Sequence, residues 1–127
     1  MFKYLRALSN IIINYRLFFV PILFYELYFY TFYNKKYNKF KYLDSNFLSD
    51  SIPCPYYFLK KIEKYIQEKD IKLICDLGSG YGKILYYFGK VCKRNIHGVE
   101  LEKEIYLDSS KLVSQNIKIF NEDILMF

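Results

Sequence analysis

A chain of 127 residues allows one domain and no more. With 53% hydrophobic and 25% charged residues its balance is globular, which excludes disorder over most of its length. The net charge of +6 lies almost wholly in residues 1–70, at +5, against +1 for residues 71–127, so it says little about the chemistry of the second half.

The first stretch, residues 1–43, reads as an apolar helical segment. Ile11 to Tyr33 is 23 residues with two charges, Arg16 and Glu26. A bilayer core takes about 20 apolar residues, so the length fits. Asn14, Arg16, Pro21 and Glu26 oppose insertion, a mid-helix charge costing about 2.5–3.5 kcal/mol. These positions do not share one helical face, so a clean interfacial helix is not supported either. Tyr25, Tyr28, Tyr30 and Tyr33 crowd the end, and Lys35, Lys36, Lys39 and Lys41 follow. Aromatic belts and juxtamembrane lysines mark the cytoplasmic boundary of a membrane anchor. Two readings stay open: association with a membrane surface through residues 11–41, or a helix pair broken at Pro21 and packed on the following domain. A spanning helix leaves Phe18, Phe19, Leu23 and Phe24 uncovered; a packed one buries them. No small-residue cleavage site follows, which argues against a cleaved signal peptide.

A second domain is expected over 44–127. Asp44 to Pro55 is dense in Asp, Ser, Asn and Pro and predicts a loop, with Pro53 and Pro55 holding Cys54 extended. Tyr57, Leu59, Ile62, Tyr65 and Ile66 recur at helical spacing over 56–69, and Asp70 ends the helix. Aromatics make up 21% of the chain, so Tyr56 and Tyr57 are read as packing residues rather than substrate contacts.

From residue 71 the pattern alternates. Ile71 to Asp76 predicts a strand, 81–92 a helix, 95–100 a second strand, 101–114 a second helix and 117–120 a third strand. This β-α-β-α-β order predicts an α/β fold, a Rossmann-like parallel sheet with right-handed crossovers and strand order 3-2-1. Cys54, Cys75 and Cys92 show no CxxC or Cys/His spacing, which argues against a disulfide framework and a zinc site. Cys75 reads as a small buried hydrophobe. Reduced thiols fit a cytoplasmic location. His97, the only histidine, reads as a strand residue.

Between the first strand and helix lies Asp76-Leu77-Gly78-Ser79-Gly80-Tyr81-Gly82-Lys83. Glycines there permit tight turn geometries and let a ligand lie against the main chain at the open end of the sheet. The dinucleotide fingerprint is GxGxxG, but here the third glycine comes one residue early. Asp76, two residues before the first glycine, suits a ligand carrying an ammonium group and suits a pyrophosphate poorly. Glu100 ends the second strand, 22 residues past Gly78, where a carboxylate can take both ribose hydroxyls. Asp123, after the third strand, can accept from an exocyclic amine; it also reads as a cap for a following helix. Ammonium, ribose and adenine amine describe S-adenosylmethionine better than NAD. Lys83 reads as a helix-start residue rather than a catalytic one.

Asp76 to Gly82 resembles the first motif of class I S-adenosylmethionine-dependent methyltransferases, Gly98-Val99-Glu100-Leu101 the second, and Asn121-Glu122-Asp123-Ile124 the third. They occur in order, and the resemblance covers roughly residues 53–127. It implies that Asp76, Gly78, Ser79, Gly80 and Gly82 border the methionine part of the cofactor. It implies further that Glu100 holds the ribose, Leu101 packs on the adenine, and Asp123 with Ile124 meets its edge. Pro53-Cys54-Pro55-Tyr56-Tyr57-Phe58-Leu59 ahead of the glycine turn resembles a subgroup that includes non-SET protein-lysine methyltransferases, some with an N-terminal membrane segment. Cys54 departs from the Thr or Ser usual between those prolines, and Tyr81 stands where relatives often have Asp or Lys.

The resemblance implies a methyltransferase acting on protein lysine or another amine, including that of a small molecule. In the family, further strands follow the third motif and carry much of the catalytic constellation. The expectation is therefore a partial domain, truncated after its third strand, with catalytic residues beyond Phe127. An inactive cofactor-binding half-domain and an NAD-binding oxidoreductase fragment are the alternatives. The basic charge does not single out nucleic acid, because the cluster at 35–41 sits beside the apolar run, where a membrane surface explains it equally well.

Overall fold

The computed structural model describes residues 19–32 and 54–126, with Tyr30 and Phe32 described by their backbone alone. Helix α1 is Val20–Phe32 and α2 is Tyr56–Glu68. Strand β1 is Leu73–Leu77. Helix α3 is one short turn, Lys83–Leu85, that runs on as a π-helix over Tyr86–Val91. Strand β2 is Asn95–Val99; α4 is Lys103–Ser109, closed by a 3-10 turn at Ser110–Leu112; β3 is Ile117–Phe120.

The strands lie in the order 3-2-1, with β2 in the middle, and both pairings are parallel. This is the α/β arrangement that the alternation predicts. Cys75 pairs with His97, Asp76 with Gly98, and Gly98 in turn with Ile119. The element limits differ from the expected ones for local reasons. Asp70 takes a φ of 51° and the Ile71 amide donates to the Ile66 carbonyl at 3.1 Å, so residues 69–72 are spent on closing α2 and β1 starts at Leu73. The second helix starts at Lys103 instead of 101 because the Glu100 side chain accepts the Glu102 amide.

Two crossovers that step in the same direction along the sheet, with the right-handed sense such connections take, put both connecting helices on one face. The core lies there. Ile96, Ile117 and Ile119 form one buried cluster with Leu59, Ile66, Leu85, Tyr87, Phe88 and Leu112. The π-helix packs close because Gly89 has no side chain: a Cβ there would lie 2.3 Å from Ile117 Cδ1. Gly98 makes the same allowance for Leu85, whose Cδ1 would lie 2.7 Å from a Cβ.

The other side of β1 is open. Leu73, Cys75 and Leu77 are exposed, alternating with Ile74 and Asp76. This corrects the reading of Cys75 as a buried hydrophobe. Alternation tells which residues share a face, but both crossovers took their helices to the Ile74 side.

Helix α1 is roughly 20 Å long at 1.5 Å per residue. Among the described residues no helix is long and apolar enough to cross a membrane. Residues 11–18, Tyr33, the lysines at 35–41 and the loop at 44–53 lie outside the described residues. Helix α1 begins at Val20, so Pro21 falls in its first turn, where its missing amide costs nothing; the segment on the other side of Pro21 lies outside the described residues before Phe19. The face of α1 turned inward is also not the expected one. Ile22 and Phe29 are buried and Glu26 points between the helices, while Phe24 is 68% exposed and Phe19 and Leu23 are half-buried. Phe29 stacks on Tyr56 at 4.6 Å between ring centroids, and Tyr25 meets Tyr57 edge-on at 6.1 Å. Tyr56 and Tyr57 are thus packing residues in this arrangement.

Candidate functional site

Beyond Leu77 the chain leaves the sheet in the glycine turn. Gly78, Gly80 and Gly82 all take positive φ, at 79°, 52° and 84°. The Gly78 and Ser79 amides both donate to the Val99 carbonyl at 2.9 Å, which pins the turn to the end of β2. Gly82 opens α3 from the left-handed region, and a Cβ there would lie 2.5 Å from Leu112 Cδ1. Gly78 is different: a Cβ on it would meet nothing within 4 Å. That side of the main chain is open to a ligand.

Glu100 is buried at the end of β2, with 8% of its surface exposed. Its Oε2 accepts the Gly80 amide at 2.7 Å and its Oε1 accepts the Glu102 amide at 2.9 Å. These charge-assisted bonds tie the turn to the second strand. A carboxylate has about four lone-pair sites, so two amides leave acceptor capacity on both oxygens. From the third strand, the Asn121 side-chain amide donates to the carbonyls of Glu100 at 2.8 Å and Leu101 at 3.0 Å. Asn121 stands in the third sequence motif, but nothing in the sequence gave it a role. Its role here is to fix the Glu100–Leu101 backbone.

Asp76, the last residue but one of β1, lies opposite Gly98. Its Oδ2 is buried and has no hydrogen-bond partner, and the same holds for Ser79 Oγ. Burial pushes the Asp76 carboxyl up to about 6, and the charge of Glu100 adds to the rise. A buried carboxylate oxygen without a donor is costly. Placed at the mouth of a glycine turn, it is a site that a cation or a hydrogen-bond donor would relieve. Leu101 is 48% and Ile124 42% exposed, which leaves apolar surface at the same strand ends. Asp123 is exposed; its Oδ1 accepts the Leu125 amide at 3.0 Å, so it braces a turn rather than capping a helix. The structure thus joins Asp76, Gly78, Ser79, Gly80, Gly82 and Glu100 in one bonded unit. Leu101, Asp123 and Ile124 follow the ends of β2 and β3, which parallel pairing places at the same edge of the sheet.

Lys83 is the residue whose surroundings the sequence did not reveal. It follows Gly82, is 4% exposed, and lies with its ammonium 4.2 Å above the Tyr56 ring. Its Nζ is 3.0 Å from Oε2 of Glu26 on α1, 57 residues earlier. The other oxygen of Glu26 accepts the amide of Tyr56, the first residue of α2. Burial lowers the Lys83 pKa and the Glu26 charge opposes that. Cys54 lies within electrostatic reach of Lys83, Glu26 and Asp76, and burial raises its thiol pKa. Among the described residues no group of three or more His, Cys, Asp or Glu could hold a metal ion.

The fold and the turn together define an α/β unit with a glycine turn and two acidic side chains at the C-terminal edge of a parallel sheet. No protein-family model matches the chain, and no curated protein matches it. Among solved structures it is similar to the plantazolicin methyltransferase BpumL in complex with SAH, at 22% identity and a TM-score of 0.49, over 57% of this chain and 29% of that one. It is also similar to the methyltransferase domain of bacterial CtHen1-CN, at 20% identity and a TM-score of 0.46, over 55% of this chain and 41% of that one. The likeness therefore spans less than a third of the first of these proteins.

Proposed function

We propose that the chain binds S-adenosylmethionine and forms the cofactor-binding part of a class I methyltransferase whose acceptor is an amine, on a protein lysine or a small molecule. The observation that carries this reading is the buried, unpartnered Asp76 Oδ2 beside the open face of Gly78. A carboxylate in that position fits the ammonium of a methionine moiety. It repels the pyrophosphate of a dinucleotide, which the GxGxxG alternative requires. Ser79 Oγ, also unpartnered, adds a donor and acceptor at the same place. Glu100 keeps lone pairs for ribose hydroxyls, and its two backbone amides hold it in place before any ligand arrives. Leu101 and Ile124 offer apolar surface to an adenine, and Asp123 an acceptor for its amine.

The cofactor, when bound, supplies a methyl group on a sulfonium, already a good leaving group. The chain's own task is therefore orientation, holding the donor so that an acceptor can approach in line. Asp76 and the turn fix one end, and Glu100 and Leu101 fix the middle. Isothermal titration calorimetry with S-adenosylhomocysteine and NAD tests the reading. Saturable binding of S-adenosylhomocysteine, with no heat from NAD, is the expected result. Binding of NAD with no response to S-adenosylhomocysteine would overturn it.

A further inference from the structure

The site described so far uses the strand ends alone. The Glu26–Lys83 pair links it to a helix that the sequence places in a different segment. One carboxylate serves two elements: Oε2 holds the ammonium of the residue that follows Gly82, and Oε1 accepts the first amide of α2. Helix α2 has no side-chain cap of its own, since Pro55 stands at its cap position. Helix α3 has no side-chain cap either and is only three residues long before it widens into the π-helix. Lys83 is thus the first helical residue after the turn, and Glu26 fixes where its side chain goes.

We propose that Glu26 is a positioning residue for the cofactor turn: through Lys83 it holds the Gly82 end of the turn, and α1 is thereby part of the binding unit. The inference rests on the reading of the turn as a cofactor site. Without the Glu26 charge, the buried ammonium over the Tyr56 ring loses the carboxylate it is bonded to. It then either sheds its proton or withdraws toward water, and in withdrawing it pulls on the residue next to Gly82. Gly80 is bonded to Glu100 and Gly82 to Ser79, so a shift at residue 83 passes directly to the amides that line the site.

The variant Glu26→Gln separates the two functions of the side chain. Its amide oxygen still accepts from Tyr56, but its charge is gone. Amide hydrogen exchange read by nuclear magnetic resonance on the ligand-free full chain reports the turn itself. In Glu26→Gln the Gly80 and Gly82 amides should exchange at least tenfold faster while the β2 amides keep their protection. Affinity for S-adenosylhomocysteine, measured well below the variant's melting temperature, should fall at least tenfold. The double variant Glu26→Gln, Lys83→Met removes the stranded ammonium, keeps packing on Tyr56, and should recover most of both losses. If Glu26→Gln does not fold, Glu26→Asp, which keeps the charge but draws it back from the Lys83 ammonium, is read against wild type, with faster Gly82 exchange expected. A lowered melting temperature with unchanged exchange and affinity would make the pair merely structural and overturn the proposal. Faster exchange in a chain whose wild type ignores S-adenosylhomocysteine would leave the link between α1 and the turn standing and refute the cofactor reading, and with it the positioning role.

Discussion

Asp76 and Glu100 share a site and divide its roles. Glu100 accepts two amides and is part of the scaffold; Asp76 is left with a buried oxygen that nothing satisfies. A carboxyl raised from 3.8 to about 6 favours the protonated native state. Its contribution to stability is full below the unfolded pKa and is lost as pH rises through about 6, a difference of about 3 kcal/mol at 1.36 kcal/mol per unit. Asp76→Asn should therefore raise the melting temperature at pH 7.5 and change it little at pH 4. The same substitution should weaken S-adenosylhomocysteine binding, because it removes the charge that faces the ligand's ammonium; thermal melts at the two pH values and calorimetry check both halves. Equal shifts at both pH values would remove the electrostatic explanation. Glu100→Ala loses both amide bonds and the hydroxyl acceptors. It should weaken binding by roughly 1.5–3 kcal/mol, the scale of hydrogen bonds to a charged group, as measured by the same titration.

The turn shows why one glycine is not equivalent to another. Both Gly78 and Gly82 take a left-handed φ that costs about 1–2 kcal/mol for a residue with a Cβ. At Gly82 the added carbon also strikes Leu112, so Gly82→Ala should destabilise the fold beyond that amount, by about 2–4 kcal/mol in chemical denaturation once overpacking is added. At Gly78 the carbon enters open space. Gly78→Ala should cost stability only about 1–2 kcal/mol but reduce S-adenosylhomocysteine affinity more than Gly82→Ala does at equal fraction folded. The reverse ranking in a titration would place the ligand elsewhere. Neighbouring elements show what sequence periodicity misses. The helix after the turn was legible as a helix, but not as a π-helix, because it packs through Gly89 onto Ile117 and Ile96, contacts made with distant strands that periodicity does not show.

Across the whole molecule, strand order and the ordered motifs were legible because they are local patterns joined by short crossovers. The pairing of Glu26 with Lys83 was not, since it spans 57 residues and joins charges that look misplaced when read singly. Glu26 counted against membrane insertion of the apolar stretch; in the structure it pairs with Lys83 and accepts the Tyr56 amide, which ties α1 to α2 and to the turn. The open side of β1 was hidden too, because alternation does not say which face a helix covers. That side gives a test of its own: Cys75 is exposed, whereas Cys54 and Cys92 are half-buried with thiols pushed up by burial, Cys92 to about 12. In native buffer a thiol reagent followed by mass spectrometry should modify Cys75 first and the other two slowly. Amide spectra of the isotope-labelled chain test most directly whether three strand ends form one S-adenosylmethionine site. On titration with S-adenosylhomocysteine, the amides of Gly78–Gly82, Glu100–Leu101 and Asp123–Ile124 should shift together along one saturating curve. Shifts scattered outside these three segments, or none at all, would contradict it.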